Sequence, residues 1–176
     1  MGSSARNDVE SPLLRLPGEL RNIIYHYVFG NMIIETGTSY EAAYHSRNFL
    51  VARDGFNGRR TPDLYRMGGL IFACRKLSAE VRLLPFQLSI THIRNPDDKR
   101  LQMRLRPRQL NAICTISIAY DSLDRKGSWL LSGPFEGLKR VIILNTRIWM
   151  AKWRKDELVA ELKKHTNKAD LEVVFD

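Results

Sequence analysis

From Gly18 onward, Leu20, Ile23, Ile24, Tyr27 and Val28 recur at helical spacing until Gly30-Asn31 ends the pattern. This predicts an amphipathic helix of about three turns. Taken as a core-facing stripe, these residues leave Glu19, Arg21, Asn22 and His26 on the solvent side. Order is expected to begin at Ser11-Pro12-Leu13-Leu14-Arg15-Leu16-Pro17, after a small, polar stretch over residues 1–10.

The next thirty residues carry a different rhythm. Met32-Ile33-Ile34 and Asn48-Phe49-Leu50-Val51-Ala52 are short apolar runs separated by polar, glycine-containing sequence, as in a β-hairpin or an inserted loop. Asp54–Arg60 is turn-rich and basic. Thr61-Pro62-Asp63 then supplies a helix cap, a proline for the first helical position and an acid for the first turn. Leu70, Cys74, Leu77, Val81 and Leu84 follow as a core stripe, and Pro85 is the expected stop.

Beyond Pro85 the pattern alternates. Strands are expected at Gln87–Arg94, Thr115–Tyr120, Lys139–Thr146 and Leu171–Phe175. Val141-Ile142-Ile143-Leu144 is a continuous apolar run of the kind buried on both faces. A short helix around Leu110 and Ile113 and a longer one over Asp156–His165 separate them, whereas residues 99–106 fit a strand or a helix equally. Such alternation implies parallel strand pairs joined by crossovers, an α+β or α/β fold with a small, mostly parallel sheet. A length of 176 residues suits one domain over 11–176, with a helical part over 11–86, an insert at 31–60 and a strand-rich part over 87–176.

Charge adds a second theme. Lysine and arginine number 28 against 19 acids, a net charge of +9, and 19 of the cations are arginine. Two concentrations stand out. Residues 94–108 hold Arg94, Lys99, Arg100, Arg104, Arg106 and Arg108 against Asp97 and Asp98. Residues 139–155 hold Lys139, Arg140, Arg147, Lys152, Arg154 and Lys155 without an acid, interleaved with Trp149 and Trp153. Arginine grips phosphate bidentately and aromatics stack on bases, so nucleic acid is one partner this chemistry suits. A solvated basic face closed by tryptophans is the plainer reading of the same residues.

Reactive chemistry is sparse. His26, His45, His92 and His165 lie far apart, without metal-ligand spacing to Cys74 or Cys114, so neither a metal nor a cofactor is expected. Cys74 with His92 would make a thiol–imidazole pair, but the helical stripe assigns Cys74 to the core. Asp121 and Asp124 sit in a turn-like segment. No phosphate loop, dinucleotide fingerprint or nucleophile elbow is spelled, so no catalytic residues are nominated. No apolar run is long enough for a membrane span. Met1–Arg6 lacks the apolar core of a secretory signal, and two cysteines inside apolar segments suit a reducing compartment, cytoplasm or nucleus.

One stretch carries a resemblance. Leu16-Pro17-Gly18-Glu19-Leu20-Arg21-Asn22-Ile23-Ile24-Tyr25-His26-Tyr27-Val28 resembles the opening of an F-box, with Leu16, Pro17, Glu19, Leu20, Ile24, Tyr25, Tyr27 and Val28 at the motif positions. Leu70–Leu77 looks like the later F-box helix, with a Cys followed by basic residues. Together with LRPRQLNAICTISI, the pattern is similar to a group of fungal F-box-like proteins in which a hairpin or loop interrupts the F-box helices and an α/β tail follows. About 30 residues separate the two helices here, where an F-box proper is compact. The resemblance implies a non-catalytic adaptor or scaffold whose Leu16, Pro17, Leu20, Ile24 and Tyr27 dock a protein partner, the adaptor of a cullin-RING ubiquitin ligase. The alternative is a basic nucleic-acid or chromatin-associated protein using Arg100, Arg104, Arg106, Arg108, Arg147, Lys152, Arg154 and Lys155. An amphipathic stripe by itself fits a third role for the first set, packing in the core.

Overall fold

A computed structural model of the chain describes residues 12–30, 32–36, 50–54, 70–71, 74–93, 105–120, 135–144 and 152–176. Within them, α1 (Pro12–Arg15) and α2 (Gly18–Phe29) lead into strands β1 (Met32–Thr36) and β2 (Leu50–Asp54). Helices α3 (Arg75–Val81) and α4 (Leu84–Leu88) follow, then β3 (Ile90–Ile93), α5 (Pro107–Asn111), β4 (Thr115–Ala119), β5 (Arg140–Leu144), α6 (Lys152–Thr166) and β6 (Glu172–Phe175). The six strands form one sheet in the order β2-β1-β3-β4-β5-β6.

Five of the six strands are parallel, and β2 runs antiparallel at the edge. The fold is therefore α/β. The two apolar runs after α2 do pair as a hairpin, in the register Met32↔Asp54 to Thr36↔Leu50. This hairpin is part of the main sheet, because β1 lies parallel to β3 with Ile34 opposite Thr91. No local pattern announces that pairing, which joins segments about sixty residues apart.

β3, β4, β5 and β6 stand side by side in chain order. With crossovers of one hand, such an order puts the connecting helices on one face of the sheet. The main core has that composition. Ile93, Ile116, Ile118, Val141 and Ile143 from one sheet face share a cluster with Leu110 of α5 and with Leu158 and Leu162 of α6. Each fully buried aliphatic side chain here stabilises the fold by about 1.5–3 kcal/mol. The alternate positions Ile142 and Leu144 are only half-buried and Val174 is exposed, so the expectation that β5 is fully buried on both faces is corrected.

The crossover ends fit closely. Cys114 O accepts from both Lys139 N (2.9 Å) and Arg140 N (3.0 Å), which starts β5 beside β4. A Cβ at Gly137 would come within 2.2 Å of Asn111 O, so only glycine lets this loop pass against the end of α5.

Several boundaries differ from the sequence pattern. Residues 84–88 are helical, so the strand expected from Gln87 starts at Ile90. Pro85 opens α4 instead of ending the preceding helix, because proline lacks only an N–H that the first turn leaves unbonded. Cys74 is extended (φ −159°, ψ 164°) and caps α3, its Sγ accepting from Leu77 N, so the stripe from Leu70 to Leu84 is not one continuous helix. Leu70, Cys74, Leu77, Val81 and Leu84 still share one apolar cluster. Cys74 and Cys114 are half-buried free thiols, less enclosed than their apolar neighbours suggest. α6 begins at Lys152, a turn earlier than expected. The cap at Thr61-Pro62-Asp63, the basic turn 55–60, Asp121 and Asp124 lie outside the described residues.

Candidate functional site

Helix α2 carries seven large apolar residues among its twelve, more than one face can bury. Two of them, Tyr25 (1% exposed) and Phe29 (0%), go inward and meet Leu14, Leu77 and Val81. They are spaced i, i+4, so they lie one above the other on a single face. Phe29 is fixed further by its carbonyl, which accepts from the buried Ser89 hydroxyl at 2.9 Å.

Arg21 stands on the same side, one turn before Tyr25. Its Nε donates to Glu80 Oε1 of α3 at 3.0 Å, and its Nη1 donates to Leu16 O. Glu80 holds the guanidinium above its ordinary range. Burial pushes the Tyr25 hydroxyl up, and the Glu80 carboxylate adds to that shift while Arg21 opposes it. A charge expected on the solvent side thus belongs to the α2–α3 contact.

Burial of this face turns the other apolar residues outward. Tyr27 is 84% exposed, Ile23 63% and Leu20 47%. At 100° per residue these three cluster on the side of the helix nearly opposite Tyr25 and Phe29. Pro17 is exposed beside them, and Leu16 and Ile24 are half-buried at the margin. The expectation that Leu20, Ile23 and Tyr27 face the core is therefore corrected, and Val28 alone of the deeper members packs on the inner cluster. Of the five nominated docking residues, Pro17, Leu20 and Tyr27 are exposed and Leu16 and Ile24 partly so. Ile23 is exposed on the same stripe but was not among the five. It shares their spacing but is absent from the motif positions.

The other nominated residues are distributed differently. Arg106 and Arg108 are exposed at the start of α5, where Arg106 N donates to Gln109 Oε1 at 2.9 Å. Arg154 pairs with Glu157 at 2.8 Å, and Lys155 Nζ lies 5.1 Å above the Phe175 ring. Lys152 starts α6, while Arg100, Arg104 and Arg147 lie outside the described residues.

Cys74 and His92 have separate partners. Cys74 caps α3, whereas His92 Nδ1 and Ser117 Oγ are 3.0 Å apart across β3 and β4. Ser117 is 5% exposed in mid-strand. Among the described residues no group of three or more His, Cys, Asp or Glu could hold a metal ion, and no helix is long and apolar enough to cross a membrane. No family model, curated protein or solved structure matches the chain.

Proposed function

We propose that this chain is a non-catalytic protein-docking module, F-box-like in its first helices, that works in the cytoplasm or nucleus. The exposed stripe of α2 would be the docking element: Leu20, Ile23 and Tyr27, with Leu16, Pro17 and Ile24 at its margin. The partner class is the adaptor of a cullin-RING ubiquitin ligase. One observation carries this reading, the outward turn of Leu20, Ile23 and Tyr27 on a helix whose other side is already fixed. An apolar set that were merely core would lie beneath α3, where Tyr25 and Phe29 lie instead.

A central aliphatic contact desolvated by a partner is worth about 1.5–3 kcal/mol. Placing a charge there leaves it unpaired in an apolar interface. Affinity capture of a purified ligase adaptor by the full chain tests the reading. Wild type retains the adaptor, and Tyr27→Asp loses it while melting at the wild-type temperature. Equal retention by the two proteins would refute it.

A further inference from the structure

Strands β3, β4, β5 and β6 follow one another in chain order, so crossovers of one hand load a single face of the sheet. Val141, Ile143, Val173 and Phe175 point to that face and share the main core with Leu158 and Leu162 of α6. Ile142, Leu144 and Val174 alternate with them and stand on the other face. None of these three belongs to either apolar cluster of the described residues. Parallel sheets occur almost only with both faces covered, so this apolar face calls for a second layer.

Exposure locates the opening. Along the row Ser117, Ile142, Val174, the side chains go from 5% exposed in β4 through half-buried in β5 to 38% exposed in β6. The next row on the same face is Thr115, Arg140, Glu172. There Arg140 Nε donates to Glu172 Oε2 at 2.8 Å, and the two side chains remain 50% and 54% exposed. The open patch is thus the β5–β6 corner, with one cation and one anion beside two β-branched apolar residues. β6 ends the sheet, so among the described residues no further strand flanks this corner.

The corner is complementary to itself. A two-fold axis lying along the strands, between β5 and β6, sets β5 of one copy over β6 of the other. The strand directions are then aligned, as in sheets packed about 10 Å apart. Arg140 faces Glu172 of the second copy, and Glu172 faces its Arg140. Ile142 and Val174 meet in the same reciprocal way. Moving this axis onto either strand would oppose Arg140 to Arg140 or Glu172 to Glu172, so the charges select its position. Leu144 and Asp176, next along the strands, meet at the exposed margin, where the carboxylate keeps its water.

We propose that the β5–β6 corner is a homodimer interface, joining two copies of this chain face to face through Arg140–Glu172 and Ile142–Val174 contacts. Two strands of four residues cover only about 10 by 13 Å in plan. A stable interface buries about 800 Å² per partner, so this dimer is weak and reversible. The inference uses no residue of α2 and is independent of the docking stripe.

Sedimentation velocity of the full chain, from about 10 µM to about 1 mM, tests it. Wild type passes reversibly from monomer to dimer as concentration rises. Arg140→Glu and Glu172→Arg each weaken dimerisation by about tenfold or more, because each opposes like charges in both halves of the interface. An equimolar mixture of the two variants recovers association, since one copy then presents only acids and the other only bases. The pair within each chain is broken in both variants, so recovery reports the contact between copies. Val174→Asp sets a carboxylate against Ile142 of the second copy and weakens dimerisation with the native ion pair intact. Thermal melting verifies that each variant is folded, and wild type with Val174→Asp decides the matter if a charge variant is not. Wild type that stays monomeric up to about 1 mM overturns the proposal. So does a mixture no more associated than its separate components, or undiminished dimerisation of folded Val174→Asp.

Discussion

Arg21 and Glu80, 59 residues apart in sequence, are joined by a 3.0 Å hydrogen-bonded ion pair that ties helix α2 to helix α3. The same guanidinium donates to Leu16 O, so one side chain links the Leu16-Pro17 entry, α2 and α3. Tyr25 is buried beside this pair and shares the inner cluster with Leu77 and Val81. The contact fixes the rotation of α2 about its own axis. With Arg21, Tyr25 and Phe29 inward, Leu20, Ile23 and Tyr27 have no route to the core.

Alkaline stability should report on this contact. Tyr25 is held above the ordinary tyrosine value by burial and then by Glu80. The folded state therefore keeps a proton that the unfolded chain releases. Its contribution is complete below the ordinary range near 10 and is lost as pH rises through that range and beyond it. Denaturant titrations between about pH 8 and pH 11 should show wild-type stability falling at the alkaline end, with a shallower fall in Tyr25→Phe. An identical decline in both proteins would contradict the placement of Tyr25.

Thr91 is fully buried in β3, and its hydroxyl has no hydrogen-bond partner among the described residues. Valine has nearly the same shape and removes the desolvated group. Thr91→Val should stabilise the fold by about 1 kcal/mol in a chemical unfolding experiment. Destabilisation of similar size would reveal a bond to that hydroxyl.

Core and surface apolar residues should separate by an order of magnitude. Leu162 is 0% exposed where α6 meets the sheet, so Leu162→Ala should cost about 2–5 kcal/mol. Ile23 is 63% exposed, and Ile23→Ala should stay within about 0.5 kcal/mol of wild type. Comparable losses at the two positions would return α2's outer stripe to the core.

The pattern of residues foretells the strands more faithfully than the helix faces. Val141–Leu144 and Thr115–Ala119 are runs of β-branched and apolar residues that few other structures accommodate, and the alternation with helices dictates their parallel pairing. Helix α2 defeats the same logic because it is overloaded. Leu20, Ile23, Ile24, Tyr25, Tyr27, Val28 and Phe29 cover most of its circumference, so periodicity does not single out one face. What decides is long-range, namely Leu77 and Val81 receiving the two aromatics and Glu80 neutralising Arg21. Pro85 misleads for a local reason, since a proline that ends one helix serves equally in the first turn of another. The parallel pairing of β1 with β3 is also a tertiary choice, invisible in either strand alone. Pro17, Leu20 and Tyr27, which the F-box resemblance nominates, are among the exposed residues of this region, whereas Ile23 lies outside the motif positions and stands out only by its exposure.

Calorimetric titration of a purified cullin-RING ligase adaptor into the wild-type chain and into Leu20→Asp/Ile23→Asp tests the central claim most directly. The account predicts saturable binding to wild type and at least a hundredfold loss in the variant, since two desolvated aliphatic contacts amount to about 3 kcal/mol or more. The variant should retain the wild-type unfolding transition. Undiminished binding by a folded double variant, or no heat of binding to wild type, would contradict it.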